Sequence, residues 1–251
     1  MKIDTFLTPY FPEKEQQFND SIVVMLDVLR ASTTVCAALY NGAKEIIPSE
    51  SHDKAVHIFS SLSREIRFLG GETNGLKPNG FDAGNSPLEY TPEAVKGKTV
   101  ILSTTNGTKI FQKAKQAKIR LIGGFVNITS VINYIVKIYL HENNKDLNVT
   151  ILCAGTNGRL SYEDTLCAGA YIHLLKQNFS ESNMTDTVLV ANDLYNLHSS
   201  DMKNFIKDRE HAVILQAAGF GNDIEAALSY DIYPVVPIFS GSGIKKLEEI
   251  I

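Results

Sequence analysis

Four times along this 251-residue chain, a short apolar run gives way to a cluster of glycine and small polar residues and then to a helical pattern. The runs are SIVVMLD (21–27), TVIL (99–102), NVTILC (148–153) and VIL (213–215). The last three lead into STTNGT (103–108), AGTNGR (154–159) and AGFGN (218–222), and the first into Arg30 and Ser32-Thr33-Thr34. Short, β-branched apolar runs bounded by turn residues read as buried strands. Further strands are read at 45–48, 67–69, 120–123 and 235–239. Helices are read from Ser32 to about Asn41, and at 53–61, up to about 117, 128–140, 161–176 and from about Asp223. This alternation predicts an α/β fold, a mixed or mostly parallel sheet with helices on both faces. Ligands of such sheets gather outside the carboxyl ends of the strands, so the active site is expected there.

No Ser/Pro-rich linker interrupts the pattern, so residues 1–251 are expected to form one domain. A division into two packed α/β subdomains near 90–100 or 140–150 is the alternative. A composition of 44% hydrophobic and 21% charged residues suits a packed core and opposes disorder. The net charge of −4 argues against nucleic acid, whose backbone is bound by surplus Lys and Arg. It leaves room for a local basic pocket around a small anion. No apolar run reaches about 18 residues, which opposes a membrane span. Residues 1–10 lack the apolar centre of a signal peptide. A cytoplasmic protein is the expectation, with a homodimer compatible. Cys36, Cys153 and Cys167 are too few and odd in number for a disulfide framework, and no zinc-ligand spacing is present.

The polar residues concentrate where the strands end. Asp27 closes an otherwise apolar strand, close to Arg30 and a helix start at Ser32–Thr34. A carboxylate for a cation, a guanidinium and exposed helix N–H groups together suit a phosphate ester. The structural alternative is an Asp27–Arg30 ion pair with Ser32 or Thr33 capping the helix. Thr104, Thr105, Asn106 and Gly107 form a dense donor set whose Asn-Gly favours a tight turn, but it is not a Walker motif. The stretch from Cys153 to Arg159 has the Cys-x5-Arg spacing of cysteine-dependent phosphatases, with Gly155 and Gly158 between; a buried core cysteine is the plainer alternative. Glu163 and Asp164 open the following helix as dipole partners or metal ligands. The long loop 70–89 offers Glu72, Asn74, Lys77, Asp82, Asn85, Ser86 and Glu89. A solvated surface loop is its other reading.

LDVLRASTTV, GETNGLKPNGFDAGNSPLEY, STTNGTK and CAGTNGRLSYEDTLCAGA, in that order, resemble the 2-phosphosulfolactate phosphatase family. The likeness covers residues from about Ile22 to about Asp231. It implies an α/β fold distinct from the common phosphatase folds, with the site in a cleft. It also implies a magnesium-dependent phosphatase that converts (2R)-O-phospho-3-sulfolactate to sulfolactate and phosphate, in the setting of coenzyme M biosynthesis. Matched by position, the motif residues are Asp27, Arg30, Ser32, Thr33, Glu72, Lys77, Asp82, Asn85, Ser86, Thr104, Thr105, Asn106, Gly107, Cys153, Gly155, Gly158, Arg159, Glu163 and Asp164. The family usually has Thr where Ser32 stands.

The expected chemistry places magnesium on Asp27 with one or two of Glu72, Asp82 and Asp164, which would polarise the phosphoryl oxygens. Arg30, Arg159 and the turn N–H groups would stabilise the transition state, and Lys77 would hold the sulfonate or carboxylate. An aspartyl nucleophile of the haloacid type is opposed by Leu29, where that motif needs a second Asp. Three alternatives stay open: Cys153 as nucleophile with Arg159 as clamp, a phosphatase for another 2-phospho-hydroxy acid, and a non-catalytic module that binds such a metabolite.

Overall fold

A computed structural model describes residues 1–10, 18–105, 107–141, 148–179 and 183–248. In chain order these residues form β1 (Lys2–Phe6), β2 (Ser21–Leu26), α1 (Ala31–Tyr40), β3 (Glu45–Pro48), α2 (His52–Ser61), β4 (Arg67–Gly71), α3 (Pro92–Val95) and β5 (Thr99–Ser103). There follow α4 (Gly107–Phe111), β6 (Ile119–Gly123), α5 (Ile128–His141), β7 (Asn148–Cys153), α6 (Tyr162–Asn178), β8 (Asn183–Met184) and α7 (Asp186–His198). The chain continues through α8 (Met202–Lys207), α9 (Glu210–Ala217), α10 (Gly221–Ala227), β9 (Pro237–Ser240) and β10 (Gly243–Lys246). Among the described residues no helix is long and apolar enough to cross a membrane.

The strands make one sheet in the order β4-β5-β3-β10-β9-β6-β2-β7-β1-β8. It is the expected mostly parallel α/β sheet. One parallel block is β4-β5-β3 and the other is β6-β2-β7-β1-β8. The antiparallel hairpin β9–β10 lies between them, pairing to β3 through Ile244 and to β6 through Leu121. Three antiparallel steps separate β3 from β6, so the two blocks run in opposite senses along the ladder. Twist compensates: five strand-to-strand steps from β5 to β2, at about 20–25° each, accumulate roughly 100–125°. The carboxyl ends of β2, β4 and β5 are thereby turned toward one place, where their side chains meet.

β2 shows how the sequence builds both faces. All six of its residues are buried, as in a strand covered on two sides. Ile22, Val24 and Leu26 enter a core with α5, α6, α7, α9 and α10, while Val23 and Met25 enter a second core with α1 and α4. Helix α1, ASTTVCAALY, is buried along nearly its whole length, as its small and apolar residues on every side require.

Three sequence expectations are corrected. Residues 213–215 are not a strand but part of α9. Ala212 and Leu215, three apart, are buried, whereas Val213 and Ile214 face outward, which is the helical period. A three-residue apolar run cannot distinguish the two periods. Helix α4 ends at Phe111 rather than near 117, and Ala114 beyond it adopts a positive φ of 54°. The strand expected at 235–239 begins at Pro237 and is the first half of a hairpin whose second strand, β10, was not anticipated.

Helices α6 and α7 cross closely because of Gly169. A Cβ at that position would stand 2.1 Å from the carbonyl oxygen of Ala191. Because that atom is backbone, the helices must move apart to admit a side chain. We expect Gly169→Ala to lower stability by about 1–3 kcal/mol, read from urea unfolding midpoints at unchanged slope.

Candidate active site

The turn after β2 is tied to the first turn of α1. The Asp27 N–H donates to Ser32 Oγ at 2.5 Å, and the Ser32 N–H donates to the Asp27 carbonyl at 2.8 Å. Thr33 Oγ1 donates to the Val28 carbonyl and Thr34 Oγ1 to that of Asn85. Ser32 and Thr33 are fully buried and spend their hydroxyls on the protein's own backbone. They fasten the turn rather than face a ligand, which corrects the expected substrate-binding role. The Asp27 side chain is left at the cavity wall, 6% exposed, with Oδ1 3.4 Å from the Ala31 N–H. Burial pushes its carboxyl up to about 7 against the opposing effects of His211 and the Ala31 N–H, and Glu72 and Glu163 add to the rise.

From the end of β4, buried Glu72 reaches the same cavity. Its Oε1 accepts from the Thr105 N–H and its Oε2 from the Gly75 N–H, at 2.5 and 2.7 Å. The carboxylate thus holds the β5–α4 turn beside the long loop. Asn85 is buried as well, and its Oδ1 has no hydrogen-bond partner although the residue lines the cavity. Two other loop candidates lie elsewhere. Asp82 is exposed and accepts from the Leu69 N–H at 2.8 Å, so it fastens the loop to β4 instead of joining a metal site. Lys77 is exposed and does not line the cavity.

Arg30 anchors the far wall. It is 3% exposed, donates from Nη1 to Asp223 Oδ2 at 2.8 Å and from Nη2 to the Gly75 carbonyl at 2.7 Å, and lies 4.1 Å above the Phe220 ring. Asp223 Oδ1 accepts from Ser86 Oγ at 2.7 Å. The anticipated Asp27–Arg30 pair is replaced by Arg30–Asp223. Ser86 serves this pair, not the cavity. Asp223 had been legible only as the polar end of a glycine turn.

Thr104 and Thr105 line the cavity beside Asp27. Asn106 lies outside the described residues. Gly107 is packed against the site: a Cβ there would stand 2.3 Å from that of Ala31 and 2.7 Å from Asp27 Oδ2.

The turn after β7 is organised by Asp164 in the first turn of α6. Its Oδ1 accepts from the Val28 N–H at 2.8 Å and its Oδ2 from the Gly155 N–H at 2.9 Å. One carboxylate therefore clasps the ends of β2 and β7. Burial raises its pKa well above the usual range, with Glu163 and Asp27 adding to the rise. Cys153 is fully buried in the core, and burial, then Asp164, Cys167 and Glu163, push its thiol up. A nucleophilic cysteine needs the reverse shift and access to solvent. This corrects Cys153 from candidate nucleophile to core residue. Arg159 is exposed and pairs through its backbone with Thr156; its side chain lines a neighbouring cavity rather than the one at Asp27. Gly158 sits beneath the Tyr10 ring.

His211, on the first turn of α9, was not picked out by the sequence. A lone histidine in a helix carries no signal until folding sets it beside Glu163. Its Nδ1 lies 2.7 Å from Glu163 Oε1 and 3.2 Å from Thr156 Oγ1. Burial lowers its pKa, but the hydrogen bond and charge of Glu163, with Asp27 and Asp164, outweigh burial and leave it raised.

These groups surround a cavity of about 210 Å³ lined by Asp27, Arg30, Glu72, Asn85, Thr104, Thr105, Thr156 and His211, among others. It adjoins a second cavity of about 500 Å³, with Thr156, Asn157 and His211 in both walls. Among the described residues no three His, Cys, Asp or Glu side chains converge to hold a metal ion. Of the carboxylates expected to join Asp27, Glu72 lines the cavity, whereas Asp82 is exposed and Asp164 holds backbone N–H groups with both oxygens. The oxygen donors of Asp27, Glu72 and the unpartnered Asn85 Oδ1 nevertheless suit magnesium, which takes one or two carboxylates and completes its shell with water and substrate phosphate.

Removing one partner of a buried ion pair strands the other charge. We expect Asp223→Ala to destabilise the fold by about 3–5 kcal/mol, measured by chemical denaturation. Ser86→Ala, which leaves the pair intact, should cost about 1.5–3 kcal/mol.

Residues 7–242 match the family model described as 2-phosphosulpholactate phosphatase. The chain is 38% identical over 247 residues to a protein of Caldicellulosiruptor saccharolyticus named probable 2-phosphosulfolactate phosphatase, covering 98% of this chain and 100% of that one. Proteins of the same name from Caldanaerobacter subterraneus subsp. tengcongensis and Thermotoga maritima are 36% and 37% identical. The first alignment covers 94% of this chain and 95% of the relative, the second 85% and 87%.

Proposed function

The chain belongs to the 2-phosphosulfolactate phosphatase family, and from that premise we propose that it is a magnesium-dependent phosphoric monoester hydrolase converting 2-phosphosulfolactate to 3-sulfolactate and phosphate, in the setting of coenzyme M biosynthesis. The observation that carries this reading is the meeting of Asp27, Glu72, Arg30 and the orphaned Asn85 Oδ1 with the Thr104–Thr105 turn in one cavity. Oxygen ligands for a cation beside a guanidinium suit a phosphate ester, and these residues line one cavity.

In this mechanism Asp27, Glu72 and Asn85 would hold magnesium. When bound, the ion supplies positive charge that polarises the phosphoryl oxygens. Arg30 contributes from the opposite wall. Its guanidinium carries five N–H groups, of which two are committed to Asp223 and Gly75, and the residue lines the cavity. Preorganised donors of this kind need no rearrangement as charge builds on the phosphoryl oxygens. Thr104 and Thr105 add small polar groups from the third wall. Asp164 is assigned a positioning role, because unlike Glu72 it does not line the cavity, and its oxygens hold backbone N–H groups of the turns that carry Asp27 and Thr156.

The burial of Cys153 opposes the thiolate route, which the activity test separates from the magnesium route. Incubation with 2-phosphosulfolactate and magnesium should release phosphate, and EDTA should abolish the release. Asp27→Asn should lower kcat/KM by about 100-fold or more, as for loss of one electrostatic group in a phosphoryl-transfer site. Cys153→Ala should keep kcat within about threefold, since it touches no reacting atom in this reading. Binding without phosphate release, for this ester and other 2-phospho-hydroxy acids, would instead identify a non-catalytic module.

A further inference from the structure

The His211–Glu163 pair is not used by the mechanism above. Glu163 is 2% exposed and its Oε1 faces His211 Nδ1 at 2.7 Å. Against a carboxylate that nitrogen must carry its proton, which fixes the ring's orientation. The opposite nitrogen, Nε2, then belongs to the side of the ring away from α6. His211 lines both the cavity that holds Asp27 and Arg30 and the one beyond it, and Thr156 stands beside it in the shared wall. A cavity-lining histidine held through one nitrogen by a buried acid, with the other nitrogen outside that bond, is the arrangement of a proton donor or acceptor.

We propose that His211, positioned by Glu163, is the general acid that protonates the departing ester oxygen. The inference rests on the hydrolase reading of the site. Leaving-group protonation is the step the other groups do not provide. Arg30 and a cation stabilise charge on the phosphoryl oxygens, but the product alcohol of a sulfolactate ester is aliphatic and a poor leaving group as its alkoxide. As water's oxygen bonds to phosphorus, the phosphorus–ester oxygen bond breaks and its electron pair stays on the ester oxygen. That oxygen takes the proton from Nε2. The proton lost by the attacking water passes to solvent, and His211 regains one from solvent, so the net reaction is ester plus water to alcohol plus phosphate.

The charged groups around the imidazole are Glu163 and Asp164 from α6, Asp27 from the end of β2, Glu72 from the end of β4, and Asp208, Arg209 and Glu210 beside it in the chain. Arg159 lines the second cavity and Arg30 the first. The three carboxylates named first favour the protonated ring, as an acid catalyst requires. In Glu163→Gln that support is reduced, so His211 should lose its proton at lower pH.

The test compares the unmodified chain with His211→Asn on 2-phosphosulfolactate and on p-nitrophenyl phosphate, whose phenolate leaves without a proton. The expected result is a loss in kcat on the alkyl ester of about 10²–10³-fold with KM within about threefold, and a comparable fall in the alkyl-to-aryl ratio. Equal losses on both esters, or an alkyl kcat within threefold of the unmodified chain, overturn the general-acid role while leaving the hydrolase reading intact. No phosphate release from either ester by the unmodified chain overturns both. If only the alkyl ester is turned over, the pH profile of kcat decides. Activity needs protonated His211, so it is present below the imidazole pKa and lost above it, and in Glu163→Gln this alkaline limb should move to lower pH. A limb that stays in place overturns the role. Independently of activity, the His211 ring protons followed by NMR in the magnesium-free protein should titrate at lower pH in Glu163→Gln. Coincident curves overturn the positioning role of Glu163.

Discussion

The buried pair of Arg30 and Asp223 is the contact on which the site's shape depends. It joins four stretches of chain that share no strand: the turn after β2, the loop at Gly75, the loop at Ser86, and α10. A pair this deep is not retained for its own stability, because removing two charges from water costs about as much as their attraction returns. Its use is geometric. The guanidinium cannot shed its charge, so it must keep both partners, and the loop and α10 are thereby fixed around the cavity. Phe220 beneath the guanidinium closes off the alternative of turning toward solvent.

Two carboxylates repeat the device with backbone in place of an arginine. Glu72 gathers the N–H groups of Gly75 and Thr105, and Asp164 those of Val28 and Gly155. Strand ends carry unpaired N–H groups, and each acid satisfies two that come from different turns. The turns therefore stay in register with one another without a metal. Burying so many acids together also raises the affinity of the group for positive charge: Asp27 and Asp164 are both pushed upward by burial and by their acidic neighbours. The site is in this sense prepared for cations, and His211 and Arg30 answer that field from two sides.

Much of this was legible in the chain and some was not, for definite reasons. β2, β3 and β7 could be read because each is a short apolar run stopped by polar residues or glycine. Asp27, Thr104 and Thr105 were singled out by their places at strand ends, Glu72 and Asn85 by the polar long loop and the family resemblance, and all five line one cavity. Side-chain direction was not legible. Lys77, Asp82 and Arg159 sit in the same motifs but turn to the surface or to another cavity, since a loop's sequence does not say which way it faces. Cys153 occupied a phosphatase-like spacing, yet the alternation of β7 sends it into the core. His211 and Asp223 acquire meaning only through partners 48 and 193 residues away. The error at 213–215 came from a run too short to reveal its period.

The hairpin β9–β10 carries a consequence for how the molecule is made. It supplies the pairing between the two parallel blocks, and it is built from residues 237–246, behind every other strand in the chain. Asp27 belongs to one block; Glu72 and Thr104 belong to the other. Each block can pair its own strands, but the ladder between them exists only when this hairpin pairs with β3 and with β6. The walls of the cavity are brought into register by a segment that contributes no side chain to the cavity at Asp27, so the shape of the site depends on a pairing that it does not touch.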